Sequence, residues 1–320
     1  MGLEELKKRS GMAEIKRLRK AFLEEELADR ERSRKWFNKD KIRDALLCED
    51  VDDVDLWNKI EGCGVGRNRW CGSLWCLRCR EVISNIMESK IKGYIDLVND
   101  RNREARNIGN DELNMITGFM GLCDVEESSV LEMIKIDGDK WRRIRRRLEK
   151  LNEDKFIVVG YEFELVNWKY LSDSNGSDYK KEQIRLLMKN SGIKNRELFL
   201  FGHWHGVSNL SAGELVDVFK DEYFVGKDKI VKMGDCGLYV RRFIKENSLD
   251  KNIRKLSSYG FKNVFRYKHS FIGNDYNSGE MFSIDELGKL ISVYDKWMGR
   301  GYRRVFRECS NFGNLMSFIV

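Results

Sequence analysis

A chain of 320 residues is long enough for one large domain or two ordinary ones, and 42% apolar with 35% charged residues suits a globular protein with a heavily charged surface. No apolar run approaches the roughly 18 residues that cross a bilayer, and the N-terminus is charged from Glu4 onward, so the expectation is a cytoplasmic chain without signal peptide, membrane anchor or membrane partner. A net charge of +7 from 59 basic and 52 acidic residues is too small to name a partner by itself; local clustering says more.

Residues 1 to 47 carry 14 Lys/Arg against 10 Asp/Glu with few breakers and read as a charged helical arm, its apolar residues (Ile15, Leu18, Phe22, Leu27) too sparse for a coiled coil. Residues 48 to 110 hold a Gly- and Cys-rich knuckle at 60 to 81, followed by the helix EVISNIMESKIKGYIDLVN. Residues 111 to 250 alternate strands and helices. LNMITGFMGL reads as a strand over 113–122, and a helix runs near 129–152 with Trp141, Ile144, Leu148 and Leu151 on one face. KFIVVGYEFELVNW, 155–168, is the clearest strand, and a polar loop and a short helix separate it from a strand opening at 198. Ser211 and Glu214 form a capping box for the next helix. Strand-like KDKIVKM then leads to a helix starting near Gly237, and residues 251 to 320 mix helix with a basic, aromatic tail. Average usage of about 5% would place roughly 16 prolines in such a chain; there are none, and nothing in the sequence explains this.

Four of the eight cysteines fall within CGVGRNRWCGSLWCLRCRE, at Cys63, Cys71, Cys76 and Cys79. The C-x2-C spacing of Cys76 and Cys79 lets two thiolates grip one Zn2+ from a tight turn, and Cys63 and Cys71 complete a closed, structural four-cysteine site. A chain of this size without an export signal is expected to keep its cysteines reduced. Two of only three histidines lie in LFLFGHWHGVSNL. On a strand His203 and His205 point to one face and Trp204 to the other, which sets two imidazoles a metal-ligand bite apart. In GYEFELV, Glu162 and Glu164 share one strand face. A carboxylate pair on an apolar strand is costly to bury unless it holds or meets a cation, so one of the two is the expected third ligand of a Mg2+ or Mn2+ site. In GDCGLYVRRFIKEN, Tyr239 falls on the expected first helical turn, with Arg242 and Phe243 along the same face. A phenol attacks phosphate when a metal and cations neutralise the phosphate oxygens. KWRRIRRRLEK, with seven Lys/Arg that include Arg142, Arg143, Arg145 and Arg146, and KWMGRGYRRVFRE, with Arg303 and Arg304 among aromatic residues, both have the make-up of phosphate-binding surfaces.

The order of these pieces resembles the rolling-circle replication initiators of plasmids, within the HUH endonuclease superfamily, over about residues 63 to 247. CGSLWCLRCR is similar to that family's Cys-Gly-Ser-x-Trp zinc segment, GHWHGV to its metal motif, GYEFELV to its glutamate strand and LYVRRFIKE to its tyrosine motif. Leu77 stands where the family has proline, Arg242 where it has lysine, and Phe243 where some members have a second tyrosine, so the resemblance implies a single-tyrosine type. The resemblance implies an α+β fold, a central antiparallel sheet with helices packed on it, and a metal held by His203, His205 and Glu164 or Glu162. It also implies attack by Tyr239 on single-stranded or hairpin origin DNA to leave a 5′-phosphotyrosine, with a host helicase and polymerase as partners. Two alternatives share parts of the pattern. A single-tyrosine HUH transposase would use the same residues; a non-catalytic, zinc-dependent DNA-binding regulator would need the knuckle but not Glu164, His205 or Tyr239.

Overall fold

Every residue of FIVVGYEFELVN, Phe156–Asn167, is buried, a state open only to a strand covered on both faces. The computed structural model describes residues 39–47, 51–64, 71–101, 108–151, 154–167, 184–185, 198–220, 222, 224–227, 237–259, 282–298 and 306–310. The chain divides into two compact units, Met1–Lys41 and Ile42–Val320, and the strands among the described residues lie in the second. The elements, in chain order, are α1 (Lys39–Leu47), α2 (Val51–Glu61), α3 (Leu77–Arg101), β1 (Asn114–Cys123), α4 (Glu127–Leu148), β2 (Phe156–Asn167) and β3 (Leu198–Ser208). They continue with α5 (Ala212–Phe219), β4 (Phe224–Lys227), β5 (Gly237–Arg242), α6 (Leu249–Tyr259), α7 (Ile284–Met298) and β6 (Phe306–Ser310).

The six strands form one sheet in the order β4-β5-β1-β3-β2-β6. β5, β1, β3, β2 and β6 are antiparallel to their neighbours, and β4 runs parallel to β5. The chain is therefore α+β, with a five-strand antiparallel sheet and helices packed on it. The Tyr161, Phe163 and Trp204 face is covered by α4 and α5. The ring of Trp141 on α4 lies 5.3 Å from Trp204 and 6.1 Å from Phe219, and the Tyr161 hydroxyl donates to Asp137 Oδ2 at 2.6 Å. On the other face Tyr94 of α3 stacks on Phe156 at 5.2 Å, Lys90 pairs with Glu308 at 2.9 Å, and α6 packs on α3 and β3.

Local rules account for most of these elements. In α3, Ile83, Met87, Ile91, Tyr94 and Val98 recur at three- and four-residue steps and are buried; in α4 so are Val130, Met133, Asp137, Trp141, Ile144 and Leu148. The expected capping box starts α5: Ser211 Oγ accepts from Glu214 N and the Glu214 carboxylate from Ser211 N. One expectation is overturned. The segment from Gly237 is not a helix but strand β5, paired with β1. Gly-Leu-Tyr-Val is rich in strand formers, and the free edge of β1 supplies the pairing that decides it. The charged arm before Lys39, most of the polar loop and short helix before 198, KDKIVKM after Lys227, and Arg303 and Arg304 in the basic tail lie outside the described residues. Among the described residues, no helix is long and apolar enough to cross a membrane.

Gly118 makes room for the core. A Cβ there would overlap the indole ring of Trp204, which is fully buried. Gly118→Ala is expected to destabilise the protein by about 3 kcal/mol through overpacking, read as a lower denaturation midpoint at unchanged m-value.

Candidate metal centre

Strand register decides which glutamate meets the histidines. β2 runs antiparallel to β3 with Glu162 directly opposite His203 and Gly160 opposite His205, while Glu164 lies opposite Phe201, one same-face step further along. Directly opposed residues share a face, so a carboxylate and two imidazoles converge. Glu162 Oε2 lies 3.1 Å from His203 Nε2 and 3.3 Å from His205 Nε2. Ligand atoms about 2.1 Å from one ion are separated by about 3.0 to 3.4 Å for octahedral to tetrahedral angles, so both spacings fit a shared cation. Glu162, His203 and His205 form one of two groups with metal-binding potential among the described residues, and Glu164, buried nearby, is not part of it.

The surroundings are built around those three side chains. Burial alone would raise the Glu162 carboxyl, but the imidazoles of His203 and His205 hold it well below the usual carboxylate range. His203 stacks on Phe201 at 5.0 Å, and its Nδ1, across the ring from the Nε2 that faces Glu162, is buried with no hydrogen-bond partner among the described residues. Thr117 Oγ1 lies 2.7 Å from His205 Nδ1. An Nδ1–H donated to that hydroxyl leaves the Nε2 lone pair facing Glu162, the arrangement by which outer-shell groups orient metal-binding histidines. His205 is 13% exposed by side chain against 1% for His203 and 3% for Glu162, so it is the most exposed of the three, although its Nε2 is itself buried. Gly160, directly opposite it, adds no side chain on that face. One strand over, β1 carries an extra residue between Phe119 and Gly121, where Gly121 has φ of 147°. This bulge re-aims β1 just past Phe119, the residue directly opposite His203.

Tyr239 stands in the same row. It lies directly opposite Thr117, which lies directly opposite His205. Two antiparallel steps place the Tyr239 and His205 Cα atoms about 10 Å apart on one face. The half-buried Tyr239 ring packs against the cluster of Phe119 and Phe201, on the side of His203. Arg242 does not accompany it. On a strand a three-residue step changes face, so Arg242, opposite Asn114, points away, and the exposed Arg241 shares the tyrosine's face. The basic stretch of α4 also lies elsewhere. Trp141 and Ile144 on the buried side of that helix pack on the Trp204 face, so Arg142, Arg143, Arg145 and Arg146 are exposed on the side of the sheet remote from the histidines. There Arg143 makes two bonds to Glu222, at 2.6 and 2.7 Å, and Arg142 pairs with Asp139.

The second metal-binding group is Cys63, Cys71, Cys76 and Cys79, whose sulfur atoms lie within 4.8 Å of one another. Cys63 and Cys71 are 3.5 and 3.4 Å from Cys79, close to the roughly 3.8 Å between sulfurs in a tetrahedral Zn–thiolate site. Cys76 immediately precedes α3 and Cys79 lies on its first turn, where the helix dipole favours thiolates. Hydrogen bonds from Cys71 and Cys79 hold the Cys76 thiol far below its ordinary value, and the same contact with Cys76 drives Cys71 up.

Comparison with known protein families, with curated proteins and with solved structures finds no match to this chain. The chemistry of the centre therefore rests on its own residues. Sequence reading missed Thr117, although a polar residue on an otherwise apolar strand is a signal worth following. Thr117→Val keeps shape and removes the hydroxyl; it is expected to weaken Mn2+ binding about tenfold in titration calorimetry, with Thr117→Ser restoring most of the affinity.

Proposed function

We propose that the protein is a metal-dependent DNA strand-cleaving and rejoining enzyme of the rolling-circle replication initiator type, with Tyr239 as nucleophile. The observation that carries this reading is the row Tyr239, Thr117, His205 on one sheet face beside Glu162 and His203. A divalent cation, Mg2+ or Mn2+, would be held by Glu162, His203 and His205 and would neutralise a non-bridging phosphate oxygen as negative charge builds on it. The neighbouring imidazoles favour the ionised form of Glu162, the form that receives a cation. The Tyr239 oxygen attacks phosphorus, the bond from phosphorus to the 3′-oxygen breaks, and the phenolic proton passes to solvent while the departing 3′-oxygen takes one up. The 5′-phosphate remains on Tyr239. Attack of a 3′-hydroxyl on that ester reverses the step and rejoins a strand without a nucleotide cofactor.

The exposed Arg241, on the tyrosine's face, takes the charge-neutralising role expected of Arg242. Zn2+ in the four-cysteine group is structural in this reading. Incubation with labelled single-stranded oligonucleotides and Mn2+ is expected to give a covalent protein–DNA adduct that Tyr239→Phe abolishes. Tight DNA binding without any adduct would instead favour a DNA-binding regulator.

A further inference from the structure

The strand that carries Glu162 is incompletely paired. β6 covers only Phe156 to Gly160 of β2, so from Tyr161 onward that edge has no strand partner among the described residues. A side chain takes the strand's place. Phe163 N donates to the Tyr294 hydroxyl at 2.6 Å, and that hydroxyl donates to Phe163 O at 2.9 Å. One buried phenol on α7 thus satisfies both backbone groups of the residue after Glu162, as a neighbouring strand would. Burial pushes the Tyr294 phenol well above its ordinary value, with the charges of Glu162 and Glu164 adding to this, so it remains a donor at neutral pH.

The Tyr294 ring is held in turn. It meets the Phe163 ring edge-on at 5.6 Å and the Trp75 ring edge-on at 6.0 Å. Trp75 is 2% exposed and sits in the loop between Cys71 and Cys76, which is tightened by the bond from Trp75 N to Ser73 Oγ at 3.1 Å. The loop that brings two thiols to the four-cysteine group therefore also presses an indole on the tyrosine that holds the glutamate strand. We infer that Tyr294 is a positioning residue for Glu162, and that through Trp75 the metal occupancy of the four-cysteine group sets the cation affinity of the Glu162, His203 and His205 centre.

This inference rests on the proposed cation site but not on any DNA chemistry. The test is Mn2+ titration calorimetry on the full chain, with zinc content measured in the same samples. Tyr294→Phe, which keeps the ring and removes both hydrogen bonds, is expected to weaken Mn2+ binding about tenfold while zinc content stays unchanged. Trp75→Phe should weaken it in the same direction, and Cys71→Ser, which loses zinc, at least as much. Leu287→Ala, a core truncation elsewhere on α7, should cost stability yet leave Mn2+ affinity alone, and so separates positioning from general loosening. Wild-type Mn2+ affinity in both Tyr294→Phe and Trp75→Phe would overturn the coupling. Failure of the wild-type chain to bind Mn2+, with no change in His205→Ala, would overturn the cation site itself.

Discussion

His205→Ala is expected to lower oligonucleotide cleavage by at least about a thousandfold while changing oligonucleotide affinity less than about threefold. The size follows from what the imidazole does. With two of three protein ligands left, the cation is lost at working concentrations, and with it the charge neutralisation that makes a phenol competent against a phosphodiester. His205 is the better choice for this test than His203. Removing His203, 1% exposed and 3.1 Å from Glu162, would take the directly opposed partner from a fully buried carboxylate, at an expected cost of about 3 to 5 kcal/mol. A loss of activity could then reflect unfolding. Removing His205, at the more exposed end of the cluster, leaves the contact between His203 and Glu162 in place. Equal loss of cleavage and of DNA binding would sink the metal assignment, because a ligand to a buried cation contributes little to holding the rest of an oligonucleotide.

Cys76→Ser is expected to reduce bound zinc from about one equivalent to a small fraction and to lower the melting temperature by roughly 10 °C. Cys76 is buried, joins the turn after Ser73 to the start of α3, and lies with the other three sulfurs within 4.8 Å of one another. A serine oxygen is too short and too hard a ligand to replace it. Metal-binding energy at such a site is folding energy, and losing about 3 to 5 kcal/mol of it corresponds, at about 2 to 4 °C per kcal/mol for chains of 150 to 250 residues, to a shift of that order. Exhaustive chelation of the wild-type protein should lower its melting temperature to near that of the variant. Unchanged metal content in Cys76→Ser would mean that the four thiols are merely neighbours.

The parts of this arrangement that were legible beforehand are those governed by local periodicity. Alternation on β3 puts His203 and His205 on one face whatever the fold, and the three- and four-residue spacing of Trp141, Ile144 and Leu148 requires a helix with one buried side. What stayed hidden depends on contacts between elements. Glu162 and Glu164 share a face, and only the register of β2 on β3 separates the one opposite His203 from the one opposite Phe201. Tyr239 is compatible with either helix or strand in isolation; the edge of β1 makes it a strand and thereby turns Arg242 away from it. The α4 arginines belong to an amphipathic helix as expected, but no periodicity states which face of the sheet a helix will cover, and it covers the one remote from the histidines. Tyr294 is separated from Phe163 by 131 positions, and a hydroxyl standing in for a strand leaves no pattern in the chain.

The position of β6 bears on how the molecule is made. β2, the second strand from one edge of the sheet, has one flank closed by β3 and the first five residues of the other by residues 306–310, and Lys90 meets its partner Glu308 across 218 positions. A nascent chain that has reached residue 300 still presents the Phe156–Gly160 backbone as an open, sticky ribbon beneath helices already synthesised. Completion of the sheet must therefore wait for residues 306–310 to be made, and products cut short before them are expected to aggregate rather than fold.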